Sequence, residues 1–263
     1  MSPHLEYLLR LGDSSLIMAQ RLAEWCGHGP QLEEDIALAN IGLDYLGQAR
    51  MLLSRAGRIE GAGRDEDALA YFRDEDEFRN FTLCELPNSG LEKGHGQAAD
   101  YAITITRNLF FSAYQVALWT ALQTSADTEL AAIAAKSLKE ARYHLRHAHD
   151  WALRLGDGTT ESHERMQRAV DALWDYTHEL FVGDAVEAQM VAQGIAVAGE
   201  SLNAAWRSTI EAILHEATLK MPAAQASSSG YVSTGKLGAH SEHMGYLLAE
   251  MQVLARAHPG ATW

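Results

Sequence analysis

Lys139-Glu140-Ala141-Arg142-Tyr143-His144-Leu145-Arg146-His147-Ala148-His149-Asp150 packs three histidines and two acids into one short stretch. Imidazoles and carboxylates at that density are the side chains from which a metal site is made. On a helix the pairing that counts is Glu-x-x-His, because positions i and i+3 share a face and both reach one metal. Helical-bundle di-iron centres use that pairing twice. Here the residue three before His144 is Ala141, which has no donor atom. Glu140 is four before and sits at the edge of the face that holds Ala141 and His144. His147 and His149 fall further round, beside Arg142 and Arg146, on a face that reads as solvated. His144 therefore has two readings: a core histidine hydrogen-bonded to a neighbouring helix, and a metal ligand. The rarity of buried polar groups without a partner favours the first.

Asn40-Ile41-Gly42-Leu43-Asp44-Tyr45-Leu46-Gly47-Gln48 offers a carboxylate at Asp44, but Gly47 stands where the histidine would be required. Glycine inside a helix costs about 1 kcal/mol against alanine, so it needs a reason, and close packing is the usual one. Glu24 is the one intact glutamate placed near the centre of a bundle, against the commoner surface role. His28 and His95 sit in glycine-rich links and read as exposed, and Glu242 and His243 in His240-Ser241-Glu242-His243 point apart at the opening of the last helix. Neither a GxGxxG or GxxxxGK[ST] phosphate loop nor a GxSxG elbow occurs. Lys220, Lys236 and Arg256, with Tyr231, Tyr246 and Trp263, suggest either a contact surface or a tail packed on its own bundle.

The elements that must position these groups read as helices. The spacing predicts a first helix over about 4–27, ended by Gly27-His28-Gly29-Pro30. A second runs from Glu33 to about Gly57, with Ile36, Ala39, Leu43, Leu46 and Leu53 as its buried stripe. A third is expected at 65–84 and a fourth at 97–124, after the link with Gly90, Gly94 and Gly96. The fifth, 127–155, is the cleanest: Leu130, Ala134, Ser137, Ala141, His144, Ala148, Trp151 and Leu155 alternate steps of three and four. Helices at 160–182, 184–193, 200–217 and 241–257 follow, the last preceded by loop composition from Pro222 to Gly238, including Ser227-Ser228-Ser229-Gly230.

Bulk properties agree. A chain of 263 residues, 47% apolar and 21% charged with only 5 prolines, has the make-up of a globular helical protein, read as a single domain over 1–263. A net charge of −14 repels phosphate backbones and anionic bilayers, so neither nucleic acid nor a membrane is expected as partner. Two cysteines, Cys26 and Cys84, in no metal-binding spacing, with no leader-like start, point to a reducing cytoplasm.

Four segments carry a resemblance. Leu9-Arg10-Leu11-Gly12-Asp13, Arg21-Leu22-Ala23-Glu24-Trp25-Cys26-Gly27-His28, Ala37 through Asp44 with Leu46-Gly47-Gln48-Ala49-Arg50, and Lys139 through Arg146 resemble the C subunits of ring-1,2-phenylacetyl-CoA epoxidases. The likeness extends through Asn88, Trp174, Glu216-Ala217-Thr218-Leu219 and His243-Met244-Gly245 to Met251-Gln252. It implies an all-α, ferritin-like bundle of long helices that shares ancestry with a di-iron catalytic A subunit but has lost the metal. The ligand positions it implies are Glu24, then Asp44 with Gly47, then Ser112, then Ala141 with His144. Gly47, Ser112 and Ala141 cannot ligate as required, so no metal, cofactor or catalytic residue is expected in this chain, and the three polar survivors are expected to form a remnant network. Small residues at 47 and 141 are expected to let helices close over the vacated space.

The role so implied is a non-catalytic structural subunit, paired tightly with the A subunit and assembled with a small B subunit and a reductase. That complex uses O2 and NADPH to epoxidise phenylacetyl-CoA in phenylacetate catabolism, and the resemblance leaves room for a contact with the CoA ester. The rivals are an active di-metal oxygenase built on Glu24, Asp44, Glu140 and His144, and a freestanding acyl-CoA-binding bundle.

Overall fold

The computed structural model describes residues 1–91, 97–222 and 232–261. Gly94, His95, Gly96, the Ser227–Gly230 run, Tyr231 and Trp263 lie outside them. Among the described residues there are ten α-helices and no strand, so the chain is all-α. They group into two compact units, Met1–Pro87 with Thr234–Trp263, and Asn88–Ser233.

In the first unit, α1 (Pro3–Ala23) and α2 (Leu32–Glu60) form a long antiparallel pair. Ser2 caps α1 by accepting from Leu5 N, and three acids open α2, where the helix dipole favours negative charge. Two glycines bring the helices together. A Cβ on Gly12 would stand 2.9 Å from Leu53 Cδ2, and one on Gly42 would stand 3.5 Å from Leu22 Cβ. The pairs 12 with 53 and 42 with 22 fix the antiparallel register.

The buried stripe of α2 differs from the expected one. Leu38, Ile41, Tyr45, Ala49, Leu52 and Ala56 face inward, with Leu53. Ile36 is 53% exposed, Leu43 62% and Leu46 41%, and Leu32 joins them. Residues 36 and 43 lie about 140–160° round the helix from the row of 38, 45 and 49, and 46 lies about 80° from it. Both rows are apolar at helical spacing, and periodicity does not choose between them.

The expected third helix, 65–84, is broken into α3 (Glu66–Tyr71), a 3-10 turn at Glu75–Glu77 and α4 (Thr82–Glu85). The cause is a buried ion pair. The Arg73 guanidinium grips the Asp13 carboxylate in the core with both side chains sealed from solvent, and Arg79 N also donates to Asp13 (2.8 Å). Arg73 Nε takes Leu69 O and Nη1 takes Glu77 O. A straight helix could not bring 73 and 79 to one carboxylate.

In the second unit, α5 (Tyr101–Leu122) starts four residues later than expected, capped by Asp100, and pairs antiparallel with α6 (Thr128–Gly156). Tyr101 meets Trp151 edge-on at 5.2 Å. The small-residue face of α6 is buried at Leu130, Ala134, Ser137, Ala141, His144 and Ala148. α7 (Thr160–Trp174) gives way to a 3-10 stretch to Leu180, and α8 (Ala185–Ala192) and α9 (Gly199–Glu216) follow. Phe110, Trp174, Phe181 and Trp206 make the core of this unit, with ring centroids 5.1–5.8 Å apart and Trp206 Nε1 donating to Phe110 O. α10 (His243–Ala257) belongs to the first unit. It is pinned there by Gln252 Nε2 on Ala70 O and Arg73 O, and by Arg256 on Tyr71 O, Arg73 O and Asp74. Lys236 is buried as well, so these two cations pack the tail on its own bundle, while Tyr246 stays exposed.

Candidate functional site

Glu24 lies just past the last turn of α1, and its carboxylate is paired with Arg21 Nη1 at 2.6 Å. The same guanidinium donates through Nε and Nη2 to Glu85 O. Glu24 is thus held by a neighbour on its own helix, as part of the packing of α1 against α4. Asp44 and Gly47 lie on α2, half-buried. A Cβ at Gly47 would meet nothing within 4 Å. The expected closure of helices over Gly47 does not occur. The close approaches in this unit are at Gly12 and Gly42, where the partner helix crosses.

In the second unit Ser112 and Ala141 are fully buried and His144 is 1% exposed, its ring edge-on to Tyr143. Ser112 Oγ finds no hydrogen-bond partner among the described residues. Neither does Ser137 Oγ, nor either side-chain amide atom of Asn108, one turn before Ser112. Glu140 is mostly covered and lies 3.9 Å from Lys136. His149 pairs with Glu216 (3.1 Å). Among the described residues no three His, Cys, Asp or Glu side chains stand close enough to hold one metal ion.

The donor set does not suit a di-iron centre. Two irons in a bundle take about four carboxylates and two imidazoles. Of the six positions in question, glycine, serine and alanine fill three, and Glu24 is already neutralised by Arg21. A groove in the second unit, between Ser89–Leu91 and α7, carries Arg165 and Arg168. Arg165 is committed to Asp100 (3.2 Å) and Glu161, and those partners, Asp100 first, hold its pKa above the ordinary value. What the arrangement supplies is apolar surface and internal ion pairs.

The family model described as phenylacetic acid catabolic protein matches residues 1–263. The chain belongs to this family. A member from Escherichia coli (strain K12), the C subunit of 1,2-phenylacetyl-CoA epoxidase, is 50% identical over 257 residues, covering 98% of each chain. Membership was legible in the α1, α2 and α6 segments. The exposed apolar row of α2 and a contact between Glu85 and His240 were not. The first hides in an ambiguous periodicity, and the second joins residues 155 apart.

Proposed function

We propose that this chain is a non-catalytic structural subunit of a phenylacetyl-CoA 1,2-epoxidase. It pairs with a di-iron A subunit in the cytoplasm and assembles with a small B subunit and a reductase for aerobic phenylacetate catabolism. The observation that carries the reading is the 50% identity, across 98% of both chains, to a protein named as the C subunit of that epoxidase. The donor-poor positions Gly47, Ser112 and Ala141 support a structural role. They leave the activation of O2 to the A subunit's metal.

The row Leu32, Ile36, Leu43 and Leu46 supports a tight protein partner. These residues, at 32, 36, 43 and 46, recur at helical spacing and project apolar side chains from the outer face of α2. Large exposed apolar rows mark association surfaces. No helix of the described residues is long and apolar enough to cross a membrane. Glu24 and Glu140 each lie beside a cation, so nothing favours the unorthodox di-metal site over the structural role.

Co-expression with the A subunit, followed by metal analysis per chain, tests this. The expected result is a stable heteromer in which iron tracks the A subunit and Leu43→Glu with Leu46→Glu weakens co-purification. Two irons bound to this chain alone, with O2-dependent turnover, would overturn it.

A further inference from the structure

Within the first unit, the segment 234–241 lies against 76–85. Gly235 N donates to Thr82 Oγ1 at 3.1 Å. A Cβ on Gly235 would stand 2.6 Å from Asn80 O, and one on Gly238 would stand 2.7 Å from Asp76 O, so the two backbones touch directly. The contact ends on His240 and Glu85, whose side chains are both wholly enclosed.

His240 sits between two acceptors. Nδ1 is 2.7 Å from Glu85 Oε2, and Nε2 is 3.1 Å from Phe78 O. A neutral imidazole has one N–H and serves one acceptor, whereas an imidazolium serves both. Glu85 also accepts from two further donors, Asn80 Nδ2 on Oε2 (2.9 Å) and Ser241 N on Oε1 (2.5 Å). Wherever the shared proton rests along the Nδ1–Oε2 line, the pair holds one more proton than a carboxylate beside a neutral histidine. Removing it sets an imidazole lone pair against an acceptor in a place sealed from solvent, and leaves a buried carboxylate without its cation. That is a costly arrangement.

We propose that His240 and Glu85 form a proton-operated latch. It fastens the segment ahead of α10 onto the 76–85 stretch while the pair keeps its extra proton, and it lets go in alkaline solution. The charged groups of the surrounding elements are Glu85 of α4; Glu75, Asp76, Glu77 and Arg79 of the preceding turns; Arg21 of α1, which grips Glu85 O; Lys236 on the latch segment itself; and Glu242 and His243, which follow it into α10. Burial is the largest single influence on His240 and opposes its charge. The hydrogen bond and charge of Glu85, the Phe78 carbonyl and the charge of Glu75 together outweigh it, and the pKa rises above the ordinary 6.5. A raised folded-state pKa means that the latch contributes fully below that ordinary value and is lost as pH climbs through the folded one. α10 keeps its own anchors at Gln252 and Arg256, so opening is confined to the latch segment.

The test is a ring-labelled NMR titration of the full chain, His240 being assigned from His240→Gln, with amide exchange over 234–241 measured in parallel. Both ring nitrogens should be protonated at neutral pH. Between the ordinary imidazole value and the folded pKa, the open population of these amides, corrected for intrinsic exchange, should rise by up to about tenfold per pH unit, and it should level off above the folded pKa. His240→Gln and Glu85→Gln should abolish that pH dependence with helix content unchanged. Titration at or below the ordinary imidazole value, or protection of 234–241 that ignores pH, overturns the proposal. If a variant does not fold, the pH dependence of amide exchange over 234–241 in the wild-type chain decides it.

Discussion

Asp13 and Arg73 show what a single buried pair does here. Asp13 is taken out of water on α1 and, among the described residues, satisfied by Arg73 and the Arg79 N–H. Removing one partner of a sealed pair leaves an uncompensated charge, typically worth about 3–5 kcal/mol, so Arg73→Met is expected to destabilise by about 4 kcal/mol in urea unfolding. Asp13→Asn should cost about as much, since it leaves the buried Arg73 guanidinium without its counter-charge. A near-zero loss for either variant would count against the charge argument. The residue types were visible in the sequence, but their pairing was not: sixty residues separate them, and nothing local distinguishes this aspartate from its surface counterparts.

Helices are where glycine tells two different stories. At Gly47 the space around a Cβ is open, so Gly47→Ala should stabilise by about 0.5–1 kcal/mol through lost unfolded-state freedom. At Gly156, at the end of α6, a Cβ would collide with Ala217 O. There the same change forces a backbone shift and should destabilise by about 1–3 kcal/mol. Thermal unfolding of the two variants should move in opposite directions. A loss at Gly47 would restore the close-packing expectation that this structure removes. On α2, Leu43→Gln should change the stability of the isolated chain by no more than about 0.5 kcal/mol, because the side chain faces outward. The same change at Leu38 should cost several kcal/mol. Sequence spacing put Leu43 inside because a helix with apolar residues on two opposite faces has no sequence mark for the inner one.

At the scale of the whole molecule, pH should act from both sides. On the acid side Glu60 and Glu66 lie below the ordinary 4.5. Glu60 is held there by the Arg64 hydrogen bond, against an opposing effect of burial. Glu66 is held there first by its own backbone N–H and then by Ser54. Depressed carboxylate pKa values contribute stability above the unfolded value and lose it as pH falls through the folded one. On the alkaline side the latch at His240 works in the opposite sense. Urea midpoints measured from acid to alkaline pH are expected to trace a plateau between the ordinary carboxylate and imidazole values, 4.5 and 6.5, with a limb on each side, and His240→Gln should flatten only the alkaline one.

The all-α class, the absence of a nucleotide loop, the clean inner face of α6 and the family likeness of its small residues were all present in the order of amino acids. Each depends on neighbours within a few turns, where helical spacing dictates contact. Which face of α2 looks outward, why the 65–84 stretch breaks, and that His240 is sealed against Glu85 depend on partners twenty to more than a hundred residues away. Burial and charge pairing at that range are properties of packed segments, and only the packing decides them.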